Sequence, residues 1–165
     1  MGAGLGTAVI LLSYALVGLP QFGSSNSSWS MPGSTVLTSN SDYSRTMIDR
    51  TMRFAEGVFR ICRAIPRTFE GRHVSGQLFR SSSSVAANYR AARRARSKKE
   101  FAAKIGVVVE EADESLFWLE FAIRVKLLTG PSVAVLRSEA RELVAILTAT
   151  RHTVMTRLRA TRGPA

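Results

Sequence analysis

The sequence predicts an all-α fold, an up-down-up-down four-helix bundle, on three observations. Four stretches repeat their apolar residues at alternating steps of four and three, which places them along one stripe of a helix. The connections between these stretches are short and carry Pro, Gly or a Ser cap, so consecutive helices run antiparallel as neighbours. A chain of 165 residues suits a single domain.

The first helix is expected over about 45–65. Ile48, Met52, Ala55, Phe59 and Cys62 form its stripe, and Pro66, which has no N–H and clashes with the preceding turn, stops it. Arg67 to His73, with Gly71, reads as the connection. The second helix, about 74–95, carries Leu78, Ser82, Val85, Tyr89 and Ala92, a seam narrow enough for a bundle. Ser97 caps the third helix, about 98–129, with Glu100 three residues on as a capping box requires. Its main stripe is Ala102, Ile105, Val109, Ala112, Leu116, Leu119 and Ile123, and Gly130-Pro131 ends it. Ser132 is placed to cap the fourth helix, about 132–160, whose stripe is Leu136, Ala140, Leu143, Leu147, Thr150 and Val154.

Residues 1–44 differ in kind from the bundle expected over 45–165. The apolar run Thr7–Pro20 is too short to span a bilayer as an ordinary helix and has the length of a signal-peptide core. No Lys or Arg precedes it, and no small-x-small cleavage site follows it directly. Gln21–Asp42 is rich in Ser, Gly, Asn and Thr, the composition of a disordered linker. Three readings stay open: a dispensable or wrongly called extension with the start near Met31 or Met47, an export or anchor signal, or an ordered accessory segment.

The third helix has a second face, with Val107, Phe117, Trp118 and Phe121 lying beside Glu110 and Glu114. A helix that is apolar nearly all round is buried on both sides, and a bundle of this size covers one side only. A homo-oligomer is therefore the expectation, with Trp118 buried against another helix. The second helix offers a matching face of small residues, Ser84, Ala87 and Ala91, flanked by Arg80, Arg90 and Arg94. Arg80 stands 17 residues before Ser97 and Glu114 stands 17 after it, so antiparallel helices bring the two level. That register predicts a structural network of Arg80 with Glu110, Glu111 or Glu114. Asn88, on the shoulder of the seam, belongs to the same polar set because a buried amide must find partners.

From Arg45 onward the chain carries all 23 Lys and Arg and 11 of the 12 Asp and Glu, a net +12 that favours an anionic partner. The excess concentrates in Arg90, Arg93, Arg94, Arg96, Lys98, Lys99 and Lys104, net +6 after Glu100, and again in Arg151, Arg157, Arg159 and Arg162. Both groups lie at helix ends or turns, where side chains can follow a phosphate backbone. With no base-reading motif, the expectation is nucleic acid, RNA or DNA, bound by charge and shape. The alternatives are a solvated basic face, or a scaffold that docks an acidic or RNA-bound protein.

No enzyme, cofactor, metal or small-molecule substrate is expected. A di-iron bundle site needs Glu-x-x-His pairs on facing helices, and His73 and His152 stand in neither setting. Glu110, Glu111, Asp113 and Glu114 are weighed as a cation site against ion pairs, which the many arginines favour. Gly71, Gly76 and Gly106 lack the spacing of a phosphate loop, and Ser81–Ser84 has no histidine within reach in sequence. The single Cys62 allows no internal disulfide, so nothing in its cysteine usage argues for an oxidising compartment, and a cytoplasmic location is the expectation.

The string Gln77-Leu-Phe-Arg-Ser-Ser-Ser-Ser-Val-Ala-Ala-Asn-Tyr-Arg-Ala91, followed by Ala95, Ser97-Lys98, Phe101, Lys104-Ile105, Glu110-Glu-Ala-Asp-Glu114 and Trp118-Leu119, resembles a known family. It is similar to the four-helix bundle proteins related to the 23S ribosomal RNA intervening-sequence protein, and more distantly to the accessory protein of diversity-generating retroelements. Arg80, Ser84, Asn88, Lys104, Glu111, Glu114 and Trp118 fall where the family motif has its polar and aromatic markers. The resemblance covers about Arg45 to Thr161 and is specific between Gln77 and Leu119. It implies a homopentameric barrel of four-helix bundles with a positive surface, and, through the retroelement relatives, binding to nucleic acid and to a reverse transcriptase. Residues 1–44 have no counterpart in the family, and Arg94 with Arg96 makes the hinge more basic than its pattern.

Overall fold

The computed structural model describes residues 40–161, with side chains from Ser44 onward; the readings of the segment before Asn40 and of Arg162 lie outside the described residues. Four helices follow one another: α1 Asn40–Cys62, α2 Phe69–Ala92, α3 Lys98–Arg124 and α4 Pro131–Ala160. The described residues form no strand. Each helix runs antiparallel to the next, and α4 returns beside α1. The α2–α3 and α3–α4 contacts are the most extensive, with α1–α2 next and α1–α4 well below them. No described helix is long and apolar enough to cross a membrane.

The connections explain where the helices differ from the expected bounds. The second helix begins at Phe69 rather than near 74, because the Thr68 side chain accepts the Gly71 N–H at 3.1 Å and caps it. Gly71 presses against the connection so closely that a Cβ there would lie 2.0 Å from the Pro66 carbonyl oxygen. Ser97 caps α3 by accepting the Glu100 N–H at 3.1 Å, and the Glu100 carboxylate reaches back to the Arg96 N–H at 2.8 Å. The third helix stops at Arg124 rather than 129. Lys126 takes a left-handed turn, φ 61°, and the Leu127 and Leu128 N–H groups both donate to the Ala122 carbonyl. Gly130, φ 104°, then leads into α4 with Pro131 in its first turn, so Ser132 is not the cap.

The core is lined by Phe54, Val58, Leu78, Val85, Phe101, Ile105, Val108, Leu119, Leu143, Leu147 and Val154. The expected α2 seam is buried throughout, and the α4 stripe is buried except for Leu136, which is partly covered. The α1 seam sits one residue earlier than expected. Met47, Thr51, Phe54 and Val58 face the core, while Met52 and Phe59 are 42% and 50% exposed. Spacing alone could not separate the two choices, because nearly every turn of α1 carries an adjacent pair, Met47-Ile48, Phe54-Ala55, Val58-Phe59 and Ile61-Cys62. On α3 the buried seam is Phe101, Ile105, Val108, Ala112, Ser115, Leu119 and Ala122, with the expected Val109, Leu116 and Ile123 on its shoulder.

Candidate functional site

Two polar features stand out on this frame. The first crosses the α2–α3 pair. Arg80 Nη2 donates to Glu114 Oε1, Arg80 Nη1 lies 3.6 Å from Glu111 Oε2, and Trp118 Nε1 donates to Glu114 Oε1 at 3.2 Å. Beneath them the Ser115 hydroxyl bonds back to the Glu111 carbonyl at 2.8 Å and lies 3.0 Å from the buried Ser81 hydroxyl. The bond from Arg80 holds the Glu114 carboxyl below the usual range. Burial pushes Glu111 up instead, and its Oε2, out of reach of solvent, has no hydrogen-bond partner among the described residues. Arg80 itself is half open to solvent, so the network caps the helix pair from outside rather than sitting in the core.

Trp118 is half-buried. Its ring meets His73, Phe117 and Phe121 edge-on at 5.1 to 5.8 Å, while Phe117 and Phe121 are 55% and 39% exposed. The expected cover from another helix is met in part within one chain, by His73 of α2 and the edge of the core, and the rest is not supplied by the described residues. Asn88 sits half-buried on its shoulder of α2, its side-chain amide making no hydrogen bond to a described residue, and Glu110 is exposed. Neither joins the Arg80 network.

The second feature is a basic end of the bundle. Antiparallel connectivity carries the α2–α3 turn and the last turns of α4 to the same end, although they are far apart in sequence. Lys99, Arg151 and Arg159 surround one open groove of about 390 Å3 floored by Ala102, Ala103, Met155 and Leu158. The Arg151 guanidinium lies over Gly106, where an added Cβ would stand 3.4 Å from its Nε. Arg90, Arg94, Lys98 and Arg157 are exposed at the same end. They and the three groove cations make no ion pair with a described residue. Arg96 and Lys104 are each 3.8 Å from the Glu100 carboxylate, which the Arg96 N–H holds below its usual range. Arg93 is partly buried where α2 ends.

Between the ends, acids and arginines pair. Arg50 donates to Glu139 at 2.6 Å and to Glu142 at 2.7 Å, which raises its already high pKa, and Arg141 donates to Glu120 at 2.6 Å. A second basic group that the sequence reading missed stands at the far end: Arg60, Arg63, Arg67 and Arg72 around the α1–α2 connection, with Arg124 and Lys126 nearby. Its signal is present as arginines recurring every three to five residues, but Arg60 and Arg63 fall in the expected first helix and Arg67 and Arg72 in its connection, so the spacing does not show them as one group. Burial pushes the Cys62 thiol up to about 11, which makes it a poor nucleophile. No group of three or more His, Cys, Asp or Glu among the described residues could hold a metal ion.

The family model described as "23S rRNA-intervening sequence protein" matches residues 45–149. A crystal structure from Bacteroides thetaiotaomicron VPI-5482, described as a protein with unknown function from the S23 ribosomal protein family, is similar with a TM-score of 0.60 and 25% identity. The likeness covers 66% of this chain and 97% of that one. No curated protein matches the chain. The resemblance to the 23S ribosomal RNA intervening-sequence protein read from Gln77 to Leu119 is thus borne out, and with the matched span well over half its length the chain belongs to the 23S rRNA-intervening sequence protein family.

Proposed function

We propose that the protein binds nucleic acid at the end formed by the α2–α3 turn and the last turns of α4, by charge and shape and without reading bases. The observation that carries this reading is the meeting of two basic groups, separate in sequence, around one groove: Lys99 from the first, Arg151 and Arg159 from the second. Guanidinium and ammonium groups without carboxylate partners are available to phosphates, and no acid lines the groove. Membership of a family named for an RNA insertion points the same way.

The exposed Phe117 and Phe121 beside half-buried Trp118 support self-assembly, a homopentamer on the resemblance drawn from the sequence. Each added copy repeats the groove and raises avidity without new kinds of contact. A role as accessory to a reverse transcriptase belongs to the same proposal, since such a partner brings nucleic acid with it.

The test is titration of the full chain into labelled RNA and DNA over a range of salt. Log affinity is expected to fall with log salt by about 0.9 per neutralised phosphate on duplex and about 0.7 on single strands. Replacing Lys99, Arg151 and Arg159 together by Gln should weaken all sequences alike and cut the slope by about one per residue. Undetectable binding at low salt, or a triple variant that binds as before, would hand the surface to an acidic or RNA-bound protein partner and leave the scaffold reading.

A further inference from the structure

The far end of the bundle carries an arrangement that the first site lacks. Phe59 on α1 and Phe79 on α2 stand 50% and 43% exposed, their ring centroids 5.6 Å apart and their planes tilted by 52°. Neither ring is needed to fill the core, because the neighbours Val58 and Leu78 are fully buried. The pair walls a groove of about 710 Å3 that also takes in Arg63, Arg67 and Arg72, and no acidic residue lines it.

We propose that this groove binds single-stranded nucleic acid, an unstacked base lying against the Phe59–Phe79 pair while Arg63, Arg67 and Arg72 hold the flanking phosphates. Charge complementarity selects the occupant. A purely apolar partner would leave three guanidinium groups facing it unpaired, whereas a single strand offers a flat π-face and a phosphate at every residue. A duplex keeps its bases stacked on one another, so only the arginines could engage it. The site is also held in place before any ligand arrives. Gly71 lets the connection press on α2, Thr68 caps that helix, and Arg72 Nη1 donates to the Arg67 carbonyl at 2.6 Å, which fixes the turn bearing the arginines.

This inference rests on nucleic acid as the ligand class, but on different residues at the opposite end from Lys99, Arg151 and Arg159. The experiment therefore uses the full-length chain with those three already changed to Gln, titrated into labelled oligouridylate and into an RNA duplex of equal length. Adding Phe59→Leu and Phe79→Leu keeps the surface apolar but removes the rings. Single-strand affinity should then fall about 5- to 100-fold, duplex affinity should stay as it was, and Phe79→Trp should retain single-strand binding. Equal loss on duplex, no loss on either, or a change in oligomeric state by light scattering without a change in binding would overturn the proposal. So would a Gln background that binds nothing although the unaltered protein binds, an outcome that leaves the first site standing. If the unaltered protein binds neither probe, both readings fall together.

Discussion

Arg80, Glu111 and Glu114 show one cation treating two carboxylates differently. Glu114 accepts a direct bond and has its pKa lowered, so its contribution to stability is present above the ordinary carboxylate pKa and is lost as pH falls through the lowered value. Glu111 is dominated by burial and has its pKa raised. Its contribution is full below the ordinary pKa and is lost as pH rises through the raised value. Glu114→Gln should therefore lower Tm at neutral pH, with the gap closing in acid, while Glu111→Gln should leave Tm unchanged or raise it at neutral pH. Melting curves across the acid range check both. A Glu114→Gln deficit that is constant with pH would mean that lost packing, not lost charge, is responsible. The meeting of Arg80 with Glu114 was legible as equal offsets from the Ser97 turn. Its exposure was not, because sequence spacing sets the level along a helix pair but not the depth.

Among the helices, α2 was read most accurately along its seam and least accurately at its start. The seam was legible because its stripe of Leu78, Ser82, Val85, Tyr89 and Ala92 has few large apolar neighbours to compete with it. In α1 adjacent apolar residues offered two registers, and the packing of α2 and α4 made the choice. The start of α2 depends on a close backbone approach that no pattern announces. Two glycines on this helix make that testable. Gly76 faces open space, so Gly76→Ala should stabilise by about 0.5 to 1 kcal/mol through helix propensity. Gly71→Ala gains the same propensity but drives its Cβ into the Pro66 carbonyl, and it should lower stability instead. Denaturant midpoints of the two variants check the contrast. If both stabilise equally, the Pro66 turn yields freely and the close approach matters little.

Across the whole molecule, charge is sorted. Glu139 and Glu142 pair with Arg50, Glu111 and Glu114 with Arg80, and Glu120 with Arg141 along the shaft, while groups of cations with no ion pair to a described residue stand at both ends. The sequence announced one of these ends through its charge run and concealed the other in a connection. It also marked α3 as two-sided, and the structure leaves Phe117 and Phe121 uncovered on that second side. Self-association follows as an expectation: light scattering on the full chain should return a mass several times that of one protomer at micromolar concentration. Phe117→Ser with Phe121→Ser should lower that mass without unfolding the bundle, since neither ring belongs to the core. A monomeric unaltered protein would remove the reason proposed here for those exposed rings.

An even number of antiparallel helices has a practical corollary for handling the protein. Asn40 and Thr161 emerge at the end that holds Lys99, Arg151 and Arg159, so an affinity tag or fluorophore fused directly at either point would sit beside that groove and contend with whatever binds there. The connection from Lys126 to Gly130, at the other pole, lines neither this groove nor the one walled by Phe59 and Phe79, and is the better anchorage for a label or a surface.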